Sequence, residues 1–378
     1  DLWYVEGAFH VEFDGELGPY WLVVQSSFGP LYIEQVGIDL MQQGGQTVGV
    51  DLLVDGGVSL AGLSVMVDDL TLGVPFRSLG RPEDWSIDLA GLAVSYDSAG
   101  VRIAGGLVKS ETAAGTEYLG MLTVEVQSFG LVAIGAWGSM SDEQGDYTSL
   151  FVFAALFLTI SFPPYLEIRG IGLGFGYNRR LVVPEEIDAI PQFALVSALD
   201  SAGTFLENPM AALQAMRQQV PARRGSYWFA VGFHGTTFVV VNITAVVYVA
   251  LDSGVEIGIL GVARMMLPTA ETALVSIELA LKARYSSSEG LLSIQGQLTD
   301  NSWLLSRDCQ LTGGFAFFMW FEKGQFLLTI GGYHPSFQRE PEYPEVPRVG
   351  LRWDLGPIHI KGESYFALTN SAVMAGLS

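Results

Sequence analysis

The sequence predicts a mainly β protein: long antiparallel strands and hairpins forming a barrel-like or multi-layer sheet, with one helical insert. Three observations carry this. Apolar residues recur with period two over long stretches, glycine-containing turns separate those stretches, and helical spacing is confined to one region. Of 378 residues 49% are hydrophobic and 16% charged, with a mean hydropathy of +0.36. That is ample for a large core and too apolar for disorder.

In chain order, Leu60–Asp69 (LAGLSVMVDD) and Leu89–Ser98 (LAGLAVSYDS) form a weak internal repeat, read as successive strands with one aliphatic face each. Ser149–Phe162 is charge-free but shorter than the ~20 residues of a spanning helix, and Pro163-Pro164 stops it. In Phe162–Leu181, Gly170, Gly172, Gly174 and Gly176 share one parity, a bare face on which a large side chain can pack directly. The spacing lacks the third glycine of a dinucleotide loop, where Phe175 stands instead. Residues 183–224 read as the helical insert. Phe193–Leu199 forms one turn; Asn208 caps a second helix, with Pro209 at its first position and Met210, Leu213 and Met216 as its apolar stripe, ended by Pro221.

Thr236–Leu251 is rich in β-branched residues. One parity (Val239, Val241, Ile243, Ala245, Val247, Val249, Leu251) is wholly apolar, so the stretch reads as a strand and not a transmembrane helix. Ala273–Tyr285 turns through Ser286–Gly290 into Leu291–Thr299 as a hairpin. Gly314–Phe321 and Gln325–Ile330 form another, and the first of these (GFAFFMWF) is apolar on both faces, which predicts cover on both sides. The organisation expected is a β-rich half over 1–182, the insert over 183–224, and a β-rich half over 225–378 continuous with the first.

Pro163-Pro164, Gly174-Phe175-Gly176-Tyr177-Asn178-Arg179, Pro184, Phe193–Val196, Gly331–Pro335, Tyr365–Thr369 and Val373–Gly376 together resemble an uncharacterised family of long, β-rich proteins. Its members occur in bacteria and some fungi and are catalogued only as a domain of unknown function. The motifs match from about Leu60 to the C-terminus. The resemblance implies a β-rich architecture and a chain that is part of something longer; it supplies no reaction and no catalytic residues.

Charge and chemistry narrow the function. A net charge of −21 argues against nucleic acid and anionic membrane surfaces as partners. The single cysteine, Cys309, opens an apolar strand and reads as buried and inert. His10, His234, His334 and His359 have no metal-ligand spacing, and His334 reads as ordering a strand exit. The acidic turn Asp142–Asp146 lacks a full calcium ligand series. Arg179-Arg180 and Arg223-Arg224 flank the insert and read as surface pairs with nearby acid. No catalytic residue, metal or cofactor is therefore expected.

What remains is apolar surface. The leading expectation is a non-enzymatic module with an apolar lumen or groove for a lipid-like or other hydrophobic ligand, lined by Val239, Val241, Ile243, Val247, Val249, Phe315, Phe317 and Met319. Its rival is a structural or assembly module whose strand faces pack on other segments or subunits of a larger protein. A third reading, a carbohydrate-acting enzyme, would use Glu342 and Glu345 as paired carboxylates. An outer-membrane-type barrel is set aside because strands apolar on both faces fit a polar lumen poorly.

Overall fold

In the computed structural model, residues 2–5, 8–11, 18–43, 46–78, 81, 85–98, 100–126, 129–200, 215–238, 240–355 and 358–377 are described. The chain divides into two compact units, Asp1–Thr112 and Ala113–Ser378. In the first, β1 (Leu2–Val5) and β2 (Ala8–Val11) pair as a hairpin. An antiparallel meander follows: β3 (Tyr20–Phe28), β4 (Leu31–Gln43), β5 (Gln46–Leu60), β6 (Leu63–Pro75), β7 (Ser86–Ser98) and β8 (Val101–Thr112). The two copies of the sequence repeat are β6 and β7 themselves. They pair with Val65 opposite Val94 and Val67 opposite Leu92, so their aliphatic residues share one face.

The second unit begins as a longer meander: β9 (Gly115–Val126), β10 (Phe129–Asp142), β11 (Gly145–Phe162), β12 (Leu166–Arg179), β13 (Ala222–Thr237), β14 (Val241–Leu251), β15 (Val255–Leu267), β16 (Val275–Ser286) and β17 (Leu291–Leu298). The remaining strands are β18 (Trp303–Leu304), β19 (Ser306–Thr312), β20 (Gly314–Trp320), β21 (Gln325–Ile330), β22 (Val349–Leu355), β23 (Ile358–Thr369) and β24 (Val373–Leu377). Between β16 and β23 the sheet forks. One branch runs β17–β20–β21 and the other β18–β19–β22, and both rejoin on β23, which also pairs with β24. Gly331 and Gly332 stand where the chain leaves β21, at φ +76° and +84°, a backbone that glycine adopts without strain.

The insert leaves from β12 and returns into β13, and those two strands pair directly. It contains a 3-10 turn (Ile187–Gln192), helix α1 (Ala194–Asp200) and a helical turn over 215–219. The Gln219 side chain accepts a hydrogen bond from the Ala194 amide at 2.8 Å, which ties the ends of the insert together. The expected cap at Asn208 and the stripe residues Pro209, Met210 and Leu213 lie outside the described residues.

The core of this unit lies between the insert and one sheet face. Ile190, Leu195, Leu199 and Met216 of the insert and Phe151, Phe153, Ala230, Val246 and Leu260 of the sheet are all buried, with α1 against β11–β14 and the 3-10 turn against β15–β17. The glycine string supplies the room. A methyl on Gly172 would stand 2.9 Å from both Leu199 Cδ2 and Phe153 Cζ, and one on Gly174 would stand 3.0 Å from the Trp228 ring. The bare strand face is therefore a packing seat, as its parity predicts.

Two expectations are corrected, and the faces of β14 are assigned. Thr236 and Thr237 close β13 and a turn separates them from β14, so Thr236–Leu251 is a hairpin corner plus one strand; Val239 lies outside the described residues. On β14 the apolar parity is the more exposed one. Thr244, Val246 and Tyr248 turn toward the insert and are buried, while Val247 is 44% exposed, because the insert's own apolar side chains already fill that space. The β20 strand is covered on one side only. Ala316, Phe318 and Trp320 pack under Tyr343, with Tyr333 and Phe337 beside it, whereas Phe315, Phe317 and Met319 are half-buried on the other side.

Candidate functional site

Directly paired residues of an antiparallel sheet project to the same side, so the register assigns every side chain to a face. One row crosses the second unit from β9 to β24: Leu122, Ala133, Ala154, Leu173, Val231, Val247, Ile259, Ala283, Ile294, Phe317, Leu328, Leu368 and Val373. Every member is apolar. The row on one side runs Val152, Phe175, Phe229, Val249, Ile257, Tyr285, Leu292, Met319 and Phe326. The row on the other runs Leu156, Ile171, Phe233, Ala245, Gly261, Leu281, Gly296, Phe315, Ile330 and Phe366. No charged side chain stands in any of them. This is the face away from the insert, and it is open: Leu173 is 55% exposed and Phe229 52%.

The sequence-predicted residues fall on this face. Val247 shares a row with Phe317, and Val249 with Met319; Phe315 is in register with Ala245. Ile243 lies in a further row with Ala263, Leu279 and Leu298, and Val241 in one with Met265 and Ile277. The fold thus brings the described members of the predicted set onto one continuous wall, though they belong to distant strands.

Aromatic residues edge the wall. At one end the row is Tyr118, Trp137, Leu150, Tyr177, Tyr227, Leu251 and Val255, with Tyr118 stacked on Trp137 and Tyr177 edge-on to Tyr227. At the other end Tyr165 meets Phe238 edge-on beside Phe162 and Leu166. From Leu166 to Tyr177 β12 measures roughly 36 Å at ~3.3 Å per residue, and the one cation in this span, Arg169 at a bulge, is paired with Glu167.

Charge collects on the opposite face and at the turns. Arg264 pairs with both Asp200, the last residue of α1, and Glu278, which also accepts hydrogen bonds from Thr299 (2.7 Å) and Asn301 (2.9 Å). Thr244 Oγ1 donates to Asp200 at 2.9 Å and contacts His234 Nδ1 at 2.9 Å. Arg179 pairs with Glu117, and Arg180 and Arg223 share Asp252. Arg224 of β13 forks onto Asp142 at the β10–β11 turn at 2.8 and 2.9 Å and holds its carboxyl below the usual range. Sequence reading missed Asp200, Arg264 and Glu278 as a connected set, and Glu117 as the partner of Arg179, since no local pattern links residues on different strands and the insert.

The remaining candidates have local partners. Glu342 is paired with Lys323 and Glu345 with Arg339, all four at least a third exposed. Cys309 is buried, and His334 Nδ1 accepts a hydrogen bond from the Ser336 amide at 3.1 Å. Among the described residues no three His, Cys, Asp or Glu side chains group as metal ligands.

A family model described as "Family of unknown function (DUF6603)" matches residues 24–378. The chain belongs to that family. No curated protein and no solved structure matches it. As a DUF6603 chain it carries, on the second unit, an uncharged sheet face with aromatic edges; no helix among its described residues is long and apolar enough to cross a membrane.

Proposed function

We propose that this DUF6603 chain is a non-enzymatic lipid-binding module whose open sheet face lies in acyl-chain hydrocarbon. The observation that carries the reading is the uncharged wall of β9–β24, bounded by aromatic residues and backed by a face that holds the charge. A soluble sheet with one solvated face places polar residues there; this one places Leu, Val, Ile and Phe. A strand tilted by ~45° carries a length like that of β12 across roughly 25 Å, the height of a lipid-facing apolar band with aromatic girdles. The objection from doubly apolar strands lapses, because their second faces are packed against the insert or, on β20, against Tyr343 and its neighbours.

Flotation of the full chain with phosphatidylcholine vesicles tests this. The protein is expected in the lipid fraction, and Phe229→Lys with Val247→Lys returns it to the dense fraction. Each lysine in hydrocarbon costs about 2–4 kcal/mol, so the loss exceeds tenfold. Wild-type protein that stays dense as a defined oligomer, and that the same two substitutions convert to a monomer, overturns the lipid reading in favour of assembly.

A further inference from the structure

Where the sheet forks, the two branches leave an open depression of about 660 Å³. Leu298 of β17, Leu311 of β19, Val349 and Leu351 of β22 and Leu377 of β24 supply its apolar lining. The volume lies within the ~300–1,000 Å³ of small-molecule sites. Leu311, Leu351 and Gly362 stand in one register row, and a side chain added at Gly362 would meet nothing within 4 Å. The fork is thus roofless at that row because position 362 has no side chain. Leu298 belongs both to the depression and to the open-face row of Ile243 and Leu279, so the two surfaces are continuous.

We infer that this depression seats a single acyl chain of a lipid. A bulk hydrocarbon face needs no discrete depression, whereas an elongated alkyl chain running off that face fills one lined from Leu298 to Gly362. The remaining lining, Thr312, Gly350, Glu363 and Ser364, brings one ionisable group, and register places Glu363 on the opposite side of β23 from Gly362 and Ser364. The ligand is therefore an uncharged chain rather than a polar solute. The inference rests on the lipid reading of the open face but is separable from it.

Native mass spectrometry of the full chain with lysophosphatidylcholine is the test, run beside the vesicle flotation. Wild-type protein is expected to hold one lysolipid, and Gly362→Phe to weaken that binding at least tenfold while floating normally. Gly362→Leu serves the same purpose with less bulk, should the phenylalanine variant unfold by circular dichroism. Flotation without a stoichiometric lysolipid, or variants that bind it like wild type, overturns the seat. A bound lysolipid lost on substitution supports the seat even where flotation fails, and that failure then counts against the open-face reading alone.

Discussion

Arg179 is 1% exposed, lies over the Phe151 ring, donates to the Val220 carbonyl at 3.1 Å and pairs with the equally buried Glu117. Its Nε and Nη2 have no hydrogen-bond partner, so the pair is incompletely satisfied. Removing one partner of a buried pair leaves an uncompensated charge and costs about 3–5 kcal/mol, while replacing both with apolar groups is often neutral or stabilising. Glu117→Met is therefore expected to lower the urea midpoint strongly, and Glu117→Met with Arg179→Met to recover most of the loss. The sequence shows Arg179-Arg180 as one surface pair; the structure separates them, because a bulge between Tyr177 and Arg179, with Asn178 at φ +52°, turns Arg179 inward. Local spacing carries no sign of that bulge.

At the scale of elements, α1 is too short to be stable alone, and its position comes from packing. Leu199 is fully buried and sits over Gly172 and Gly232, where no side chain competes for the space. Leu199→Ala is expected to cost about 2–5 kcal/mol in denaturant unfolding, the range for a large-to-small change whose site cannot collapse. A smaller loss, below 1 kcal/mol, would show that the insert is loosely seated. Here the sequence is informative: the glycine parity of β12 announces a packing seat, and the apolar spacing of Phe193–Leu199 announces its occupant. The hairpins β16–β17 and β20–β21 are equally legible, since period-two alternation and short turns are local properties.

For the whole molecule, a net charge of −21 accompanies a large uncharged face, so headgroup charge should decide where the chain partitions. Binding to phosphatidylcholine vesicles is expected to exceed binding to vesicles rich in phosphatidylserine. Added salt should narrow the gap by screening the repulsion. Stronger binding to the anionic vesicles at low salt would contradict this reading.

The amino-acid sequence by itself determined the β class, the place of the insert, the family and the residues that form the apolar strand faces. All of these follow from short-range periodicity and motif. Only the tertiary structure decided which side of each strand is covered. The alternation along β14 is the same whether Val247 points in or out. The choice was made by what else needed burial: the insert's Leu195, Leu199 and Met216 fill one side of the sheet, which leaves Val247, Phe229 and Leu173 on the other. The fork and its depression were beyond local reading for the same reason, since they arise from pairings between β16, β18, β22 and β23 that no stretch of sequence contains.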